Sequence, residues 1–323
     1  MKGIASRIEL FLGLLIVLLA VIFTIANPRF ASLANFFDLI KSYSFFGILA
    51  VGAFVVLLSG GIDISFTATA QVAQYVTVAW IVQQGGNLWL ALVIGLVIGT
   101  LLGAFNGVLI HFVRIPPIIT TIGTLNLYFG ALYVLSAGNI IFEVAPFYRQ
   151  LSEATLPGGF PVLGLLWLGV VLLTGWMLHY TVLGRSIYAL GGSETAAVRV
   201  GFSVLKTRLF VYTFMGLLAG FASVVHTSLV QSAIPNSIVG KELDVIAAVV
   251  LGGASIKGGS GSLLGTCLGV VFLAVIGNGL TMMGISSYWN GVTVGLALLV
   301  GITVSKYQQE ILAVWKRRSI RTS

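Results

Sequence analysis

Apolar and polar positions along this chain fall into long blocks, not into a short alternation. Runs of about 20 apolar residues cross a bilayer as helices, at ~1.5 Å per residue. The pattern predicts roughly ten of them, at 8–26, 43–60, 65–83, 88–112, 118–137, 161–180, 208–230, 243–256, 262–283 and 287–304. The eighth is too short to cross. It reads as a broken or re-entrant helix, which survives at membrane depth only where protein covers its backbone. The expected fold is all-α: a polytopic membrane protein, one domain over 1–323, with about ten transmembrane helices and short broken or re-entrant pieces.

The polar interruptions are mostly short, and one has unusual chemistry. Residues 184–208 read GRSIYALGGSETAAVRVGFSVLKTR, placing Arg185, Glu194, Arg199, Lys206 and Arg208 between two nearly uncharged spans. The whole connection, about 181–207, has an amphipathic pattern. A soluble helical patch held between spans is a docking surface, so the working energy is expected to come from outside the chain. The longest loop on the opposite side, 139–160, holds Pro146, Pro157, Gly158 and Gly159 among Phe142, Phe147 and Tyr148, which predicts a short interfacial helix.

Composition supports the membrane reading. Only 8% of residues are charged, against about 25% in soluble domains, and no soluble fold hides that much apolar surface. A net charge of +8 would point to nucleic acid in a soluble protein, but here its placement gives another meaning. With the N-terminus inside and spans alternating, all basic residues lie inside except Arg29, Lys41, Arg149 and Lys241. That bias places both termini in the cytoplasm and makes 305–323 a basic cytoplasmic tail. Lys2 and Arg7 precede an apolar run from Leu10 to Ala26 that resembles a signal peptide. The run is long and lacks an A-x-A site, so an uncleaved first helix is expected. Cys267, the single cysteine, excludes an internal disulfide and a multi-cysteine metal site.

Three groups of residues are candidates for chemistry. In LSGGIDIS (58–65), Gly60 and Gly61 break a helix, and Asp63 or Ser65 caps the next one; a proton or cation site on Asp63 is the sharper alternative. In LGGASIKGGSGSLLGT (251–266), glycines invite comparison with a phosphate loop. Lys257 precedes Gly258, however, and no Gly-Lys-Ser/Thr occurs anywhere, so the nucleotide signature fails and a sharp helix break is expected instead. The third group is the polar content of the spans: Gln71, Gln74, Asn106, Asn126, Asn278 and Asn290. Hydrogen bonds between helices account for most such residues. Amides also suit a neutral polyhydroxylated solute, with Tyr75, Phe105 and Tyr128 as stacking surfaces, so Asp63, Gln71, Gln74, Asn106, Asn126 and Asn278 are the translocation-path candidates. Gly95, Gly99, Gly103 and Gly107 recur every four residues and predict close helix packing. His111, His179 and His226 are scattered near span ends. No H-E-x-x-H, no G-x-S-x-G and no supported carboxylate pair occurs, so no catalytic or metal-ligating residue is nominated.

With these segments placed, the chain resembles the permease subunits of bacterial ABC importers for monosaccharides, a group that includes autoinducer-2 permeases. The matching pieces are LSGGIDIS at 58–65, GAFNGVLIHFVRIPPIITTIGTL at 103–125, GRSIYALGGSETAAVRVGF at 184–202 and LGGASIKGGSGSLLGT at 251–266, in family order. The chain departs from the family at Phe66-Thr67-Ala68-Thr69, where Val-Gly-Ser is usual. The resemblance implies a ten-helix fold related to the vitamin B12 permease class, in the bacterial inner membrane. It implies a second permease subunit, two ATPase subunits carrying ATP and Mg, and a periplasmic binding protein that delivers a sugar or sugar-like solute. It also implies that 184–202 hold the element that couples to the ATPase, assigned to Gly184, Arg185, Tyr188, Gly191, Glu194, Ala196, Ala197 and Gly201. The competing class is an ion-coupled secondary transporter of a small polar solute, which usually needs midplane ionisable residues that are scarce here.

Overall fold

The computed structural model describes residues 2–286, 289, 291–293, 295, 296 and 299. Most of the expected tenth span 287–304, Asn290 and the basic tail 305–323 lie outside the described residues. Among the described residues the protein is all-helical, with α1 (Lys2–Ala26), α2 (Leu33–Leu58), α3 (Phe66–Gln84), α4 (Leu88–Val113), α5 (Pro117–Ser136), α6 (Pro146–Glu153), α7 (Val162–Tyr180), α8 (Val182–Gly192), α9 (Glu194–Arg199), α10 (Val204–Val230), α11 (Glu242–Leu251) and α12 (Leu263–Met282).

Seven of these are long and apolar enough to cross a membrane: α1 from Ile8, α2, α4, α5, α7, α10 and α12. At 19 residues α3 has the length, but Thr67, Thr69, Gln71, Gln74 and Thr77 make it too polar to count by composition. It avoids lipid by burying that face. With 10 residues, α11 is too short to cross, as its sequence indicated. The expected interfacial helix in 139–160 is α6.

Helix ends follow local chemistry. Ser32 caps α2 through Asn35 N–H at 3.2 Å, Asn87 caps α4 through Leu90 N–H at 2.9 Å, and Ser262 caps α12 through Gly265 N–H at 3.1 Å. Such caps satisfy donors that the first turn leaves open. After α4 ends at Arg114, Pro116 and Pro117 set the entry of α5.

The buried centre is formed by α2 and α10. Residues 44–58 of α2 are buried except for half-buried Phe46, packed by α7, α10, α11 and α12. The glycine ladder of α4 faces α10. A Cβ on Gly99 would come within 2.7 Å of Gly220 N, one on Gly103 within 2.8 Å of Gly216 Cα, and one on Gly95 within 2.9 Å of the Gly220 carbonyl oxygen. The two backbones therefore touch, as small-residue packing in membranes requires. By contrast, α1 exposes Leu10, Leu14, Val17 and Leu18, which in a spanning helix means a face for lipid.

Segments expected on one side of the membrane do gather at one end. Ser262 donates to Glu9, Ile8 lies against Gly253, Thr121 bonds to Ile62 and Ile64, and Gly191 lies against Leu58 and Gly259. At the other end, Ile141 and Ala233 exchange backbone bonds, and Tyr75 donates to Asn139.

Candidate functional site

The polar connection 181–207 folds as a two-helix element. Thr181 caps α8 by accepting from Gly184 N–H at 3.1 Å. Gly184 makes the tight turn out of α7, since a Cβ there would sit 2.6 Å from Leu178 Cα. Ser193 ends α8 and caps α9 through Ala196 N–H at 3.3 Å. The acidic Glu194 occupies the first turn of α9 and Arg199 the last, the order the helix dipole favours. Phe202 N–H returns to Ala197 O at 3.0 Å and Gly201 N–H to Val198 O at 2.9 Å, with Gly201 at φ +91. This is the glycine stop that satisfies open carbonyls at a helix end.

The predicted coupling residues divide by exposure. Gly184 and Ala197 are buried, with Ala197 at 1%. Tyr188 and Gly191 are half-buried, and Arg185, Glu194, Ala196 and Gly201 are exposed. Burial raises the Tyr188 phenol above its ordinary pKa, keeping it a neutral donor. Glu194 pairs with Arg208 of α10 at 2.7 Å, tying α9 to the next helix. Ala197 faces its own chain, so a bulky residue there disturbs the packing of α9 before it touches any partner. The outward face instead holds Ala196, Val198 at 55% exposure and Val200 at 75%. The sequence reading missed both valines. Their only signal was two β-branched residues flanking Arg199 on a polar segment.

Two buried polar networks account for four of the six path candidates. Asp63, 4% exposed, accepts from Ser65 N–H and Ser65 Oγ at 2.7 Å each. Ser65 Oγ accepts from Asn106 Nδ2 at 2.7 Å, and the Tyr128 hydroxyl lies 3.1 Å from Asn106 Oδ1. This chain ties the α2–α3 break to α4 and α5, and Asp63 spans the entry to α3 by bonding Ser65. The second network is the polar face of α3. Gln71 donates to Ile234 O at 2.7 Å and to Gln74 Oε1 at 3.2 Å, and accepts from Ile238 N–H at 2.7 Å. Gln74 reaches His226 at 2.9 Å and Ser232 O at 3.3 Å, and Thr67 donates to Glu242. Together these residues clasp the segment 231–242 between α10 and α11.

The other two candidates stand apart. Asn278 exchanges amide bonds with Asn35 at 3.0 and 3.1 Å, joining α12 to α2. Asn126 is exposed on α5, and its amide donates to Ile122 O at 2.8 Å. A cavity of about 380 Å³ lies among α3, α4 and α5, lined by Tyr75, Trp80, Gln83, Leu102, Tyr128 and Ser136. That size falls within the ~300–1,000 Å³ of small-molecule sites. It joins two of the aromatics expected to stack, while Phe105 packs on Tyr128 with ring centroids 6.5 Å apart. Among the described residues no cluster of His, Cys, Asp or Glu could hold a metal.

Residues 35–302 match the family described as branched-chain amino acid transport system / permease component. The chain belongs to this permease family. The ribose import permease protein RbsC of Bacillus subtilis is 34% identical over 305 residues, covering 94% of each chain. The protein of the same name in Escherichia coli K12 is 36% identical over 304 residues, 91% of this chain and 92% of its own. The autoinducer 2 import system permease protein LsrC of Klebsiella pneumoniae is 36% identical over 318 residues, 98% of this chain and 92% of its own. No solved structure matches. The element α8–α9 is therefore a connection in a multi-pass membrane protein of this permease family.

Proposed function

We propose that the chain is the membrane-spanning permease subunit of an ATP-driven importer for a monosaccharide or sugar-like solute. The relatives named for ribose and autoinducer 2 support the solute class. ATP and Mg belong to a separate ATPase subunit, so this subunit is not an enzyme. A second permease subunit completes the pathway, a periplasmic binding protein delivers the solute, and both termini face the cytoplasm of a bacterial inner membrane. In this reading the ten-span topology of the vitamin B12 permease class holds, with α3 as a shielded span and α11 as the broken one.

One observation carries the proposal. The element α8–α9 is capped at both ends, anchored by Ala197 and Glu194, and turns Val198 and Val200 outward at the end where the segments expected in the cytoplasm gather. Apolar side chains on an exposed, rigid turn suit a groove in a partner, where each buried valine contributes up to ~1.5–3 kcal/mol. The α3–α4–α5 cavity and the exposed face of α5 that carries Asn126, on opposite sides of that helix, are the two surfaces open to a solute. Asp63, Asn106, Gln71 and Gln74 hold the helices that frame them, and Asn278 ties α12 to α2.

The test is a complete transporter in proteoliposomes, with labelled ribose and autoinducer 2 as probes. Uptake should require ATP, the ATPase and the binding protein. Val198→Asp with Val200→Asp should weaken ATPase co-purification about 100-fold, or ~2.7 kcal/mol, while the permease still elutes as a folded species. Uptake by the purified chain alone on an ion gradient would overturn the proposal in favour of secondary transport.

A further inference from the structure

Three glycine-rich segments far apart in sequence meet at one point, and no side chain separates them. Leu58 is the last residue of α2, and its carbonyl oxygen accepts from Gly259 N–H at 2.9 Å. Gly191, near the end of α8, lies over that bond. A Cβ on Gly191 would overlap the Leu58 carbonyl oxygen and sit 2.5 Å from Gly259 N. A Cβ on Gly258 would sit 2.5 Å from Gly60 Cα and 2.9 Å from Gly191 O, and one on Gly259 would sit 2.8 Å from Gly192 Cα. Gly60, Gly258 and Gly259 also carry φ of +80, +86 and +72, a region that favours glycine. Two independent requirements, close approach and backbone hand, thus select the same residue type.

We propose that Gly60, Gly191, Gly258 and Gly259 form a backbone junction that carries displacement of the coupling element into the α2–α3 break and the α11–α12 loop. The proposal rests on the permease reading above. Side chains absorb small displacements by changing rotamer, but backbone against backbone has no such slack, and close-packed interiors transmit strain. A shift of the α8 end must therefore move Leu58 or Gly259 directly. From Gly60 the chain runs three residues to Asp63, whose network grips α4 and α5. From Gly259 it runs three residues to Ser262, the cap of α12, while Gly252 and Gly265 hold α11 against α12 by another backbone contact, 2.5 Å from a Cβ on Gly252 to Thr266 N. One junction thus addresses both broken elements of the fold. Gly191 is a positioning residue in this scheme, since it touches neither ATP nor solute.

The test uses the whole transporter in proteoliposomes and matched glycine pairs. Gly191→Ala introduces the overlap, whereas the neighbouring Gly192→Ala meets nothing within 4 Å. Gly60→Ala brings a Cβ to 3.3 Å from Gly191 Cα at φ +80, whereas Gly85→Ala has nearly the same φ of +75 with nothing within 4 Å. The expected result is retained ATPase co-purification and basal ATP hydrolysis in Gly60→Ala and in both controls. Stimulation of hydrolysis by loaded binding protein, and uptake, should fall at least tenfold in Gly191→Ala and several-fold in Gly60→Ala, with both controls unchanged. If Gly191→Ala fails to accumulate, the Gly60 and Gly85 pair decides: equal behaviour overturns the junction, and selective loss in Gly60→Ala supports it. Full coupling in Gly191→Ala also overturns it. A wild-type chain without ATP-driven uptake overturns the permease reading itself, and the junction with it.

Discussion

Replacing Gln71 with leucine isolates what the polar face of α3 does. Gln71 is 0% exposed and spends its amide on the segment that follows α10. Leucine matches it closely in volume, so the packing changes little and the hydrogen bonds are what is lost. The Ile234 carbonyl keeps its other donors, Ser237 N–H at 3.2 Å and Ser237 Oγ at 3.1 Å. Ile238 N–H, on a residue 0% exposed, loses its 2.7 Å acceptor, and Gln74 Oε1 loses its 3.2 Å donor. Each buried group left unpaired costs ~1–3 kcal/mol, giving a ceiling of about 6 kcal/mol for two. Leucine regains part of that through apolar burial, and water can enter once the segment loosens. A net of about 2 kcal/mol for local opening remains, which is roughly a 30-fold rise in the open population. Hydrogen exchange of the peptide covering 231–241 should accelerate by that factor, while Gln83→Leu, on an exposed position of the same helix, should leave it unchanged. Exchange within twofold of wild type in Gln71→Leu would show that α3 does not hold this segment.

Two further outcomes follow from the packing and the surface. Gly99→Ala forces apart backbones that lie closer than any Cβ allows, and should destabilise the subunit in detergent by about 3 kcal/mol, at the upper end of overpacking costs. Gly123→Ala, with nothing within 4 Å, should melt like wild type, and equal melting of the two variants would refute the contact. Glu194→Gln breaks an ion pair whose side chains are 52% and 24% exposed, so its effect on stability should stay below ~1 kcal/mol and vanish in high salt. A larger, salt-independent loss would mean that Glu194 is held more firmly than its exposure implies.

Seven spans were legible because apolar length is a local property, and the two-helix connection α8–α9 because charge in an apolar context is equally local. What escaped the sequence was pairwise. Ten residues of α2 before position 43 were missed, because Asp38 and Lys41 on its exposed opening turns break the apolar run. The polar face of α3 reads as a candidate route from sequence alone. Its purpose emerges only when Thr67 meets Glu242, 175 residues away. Asn278 finds Asn35 at a separation of 243 residues, and no single chain reveals such a pairing. The glycine segments were each visible, but their convergence depends on three turns having compatible geometry. The valines of α9 were missed because apolar residues are unremarkable in a chain this apolar until their exposure is known.

Polarity inside a membrane protein is a poor guide to the route of a polar solute. An unpaired amide at membrane depth costs several kcal/mol, and the amides of Gln71, Gln74, Asn106 and Asn278 are all hydrogen-bonded within the chain. The amides of α3 build that helix into its own chain. A solute route must instead offer surface that the chain leaves uncovered. On α5 uncovered surface lies at Gly123 and Gly130, where added Cβ atoms would meet nothing within 4 Å, together with exposed Asn126. The aromatic cavity of Tyr75, Trp80 and Tyr128 lies against the opposite side of α5, which it meets through Tyr128, Ala131, Leu132 and Leu135. On the permease proposal, the paired amides therefore belong to the frame of the pathway, and a solute would pass along surface that the chain leaves uncovered.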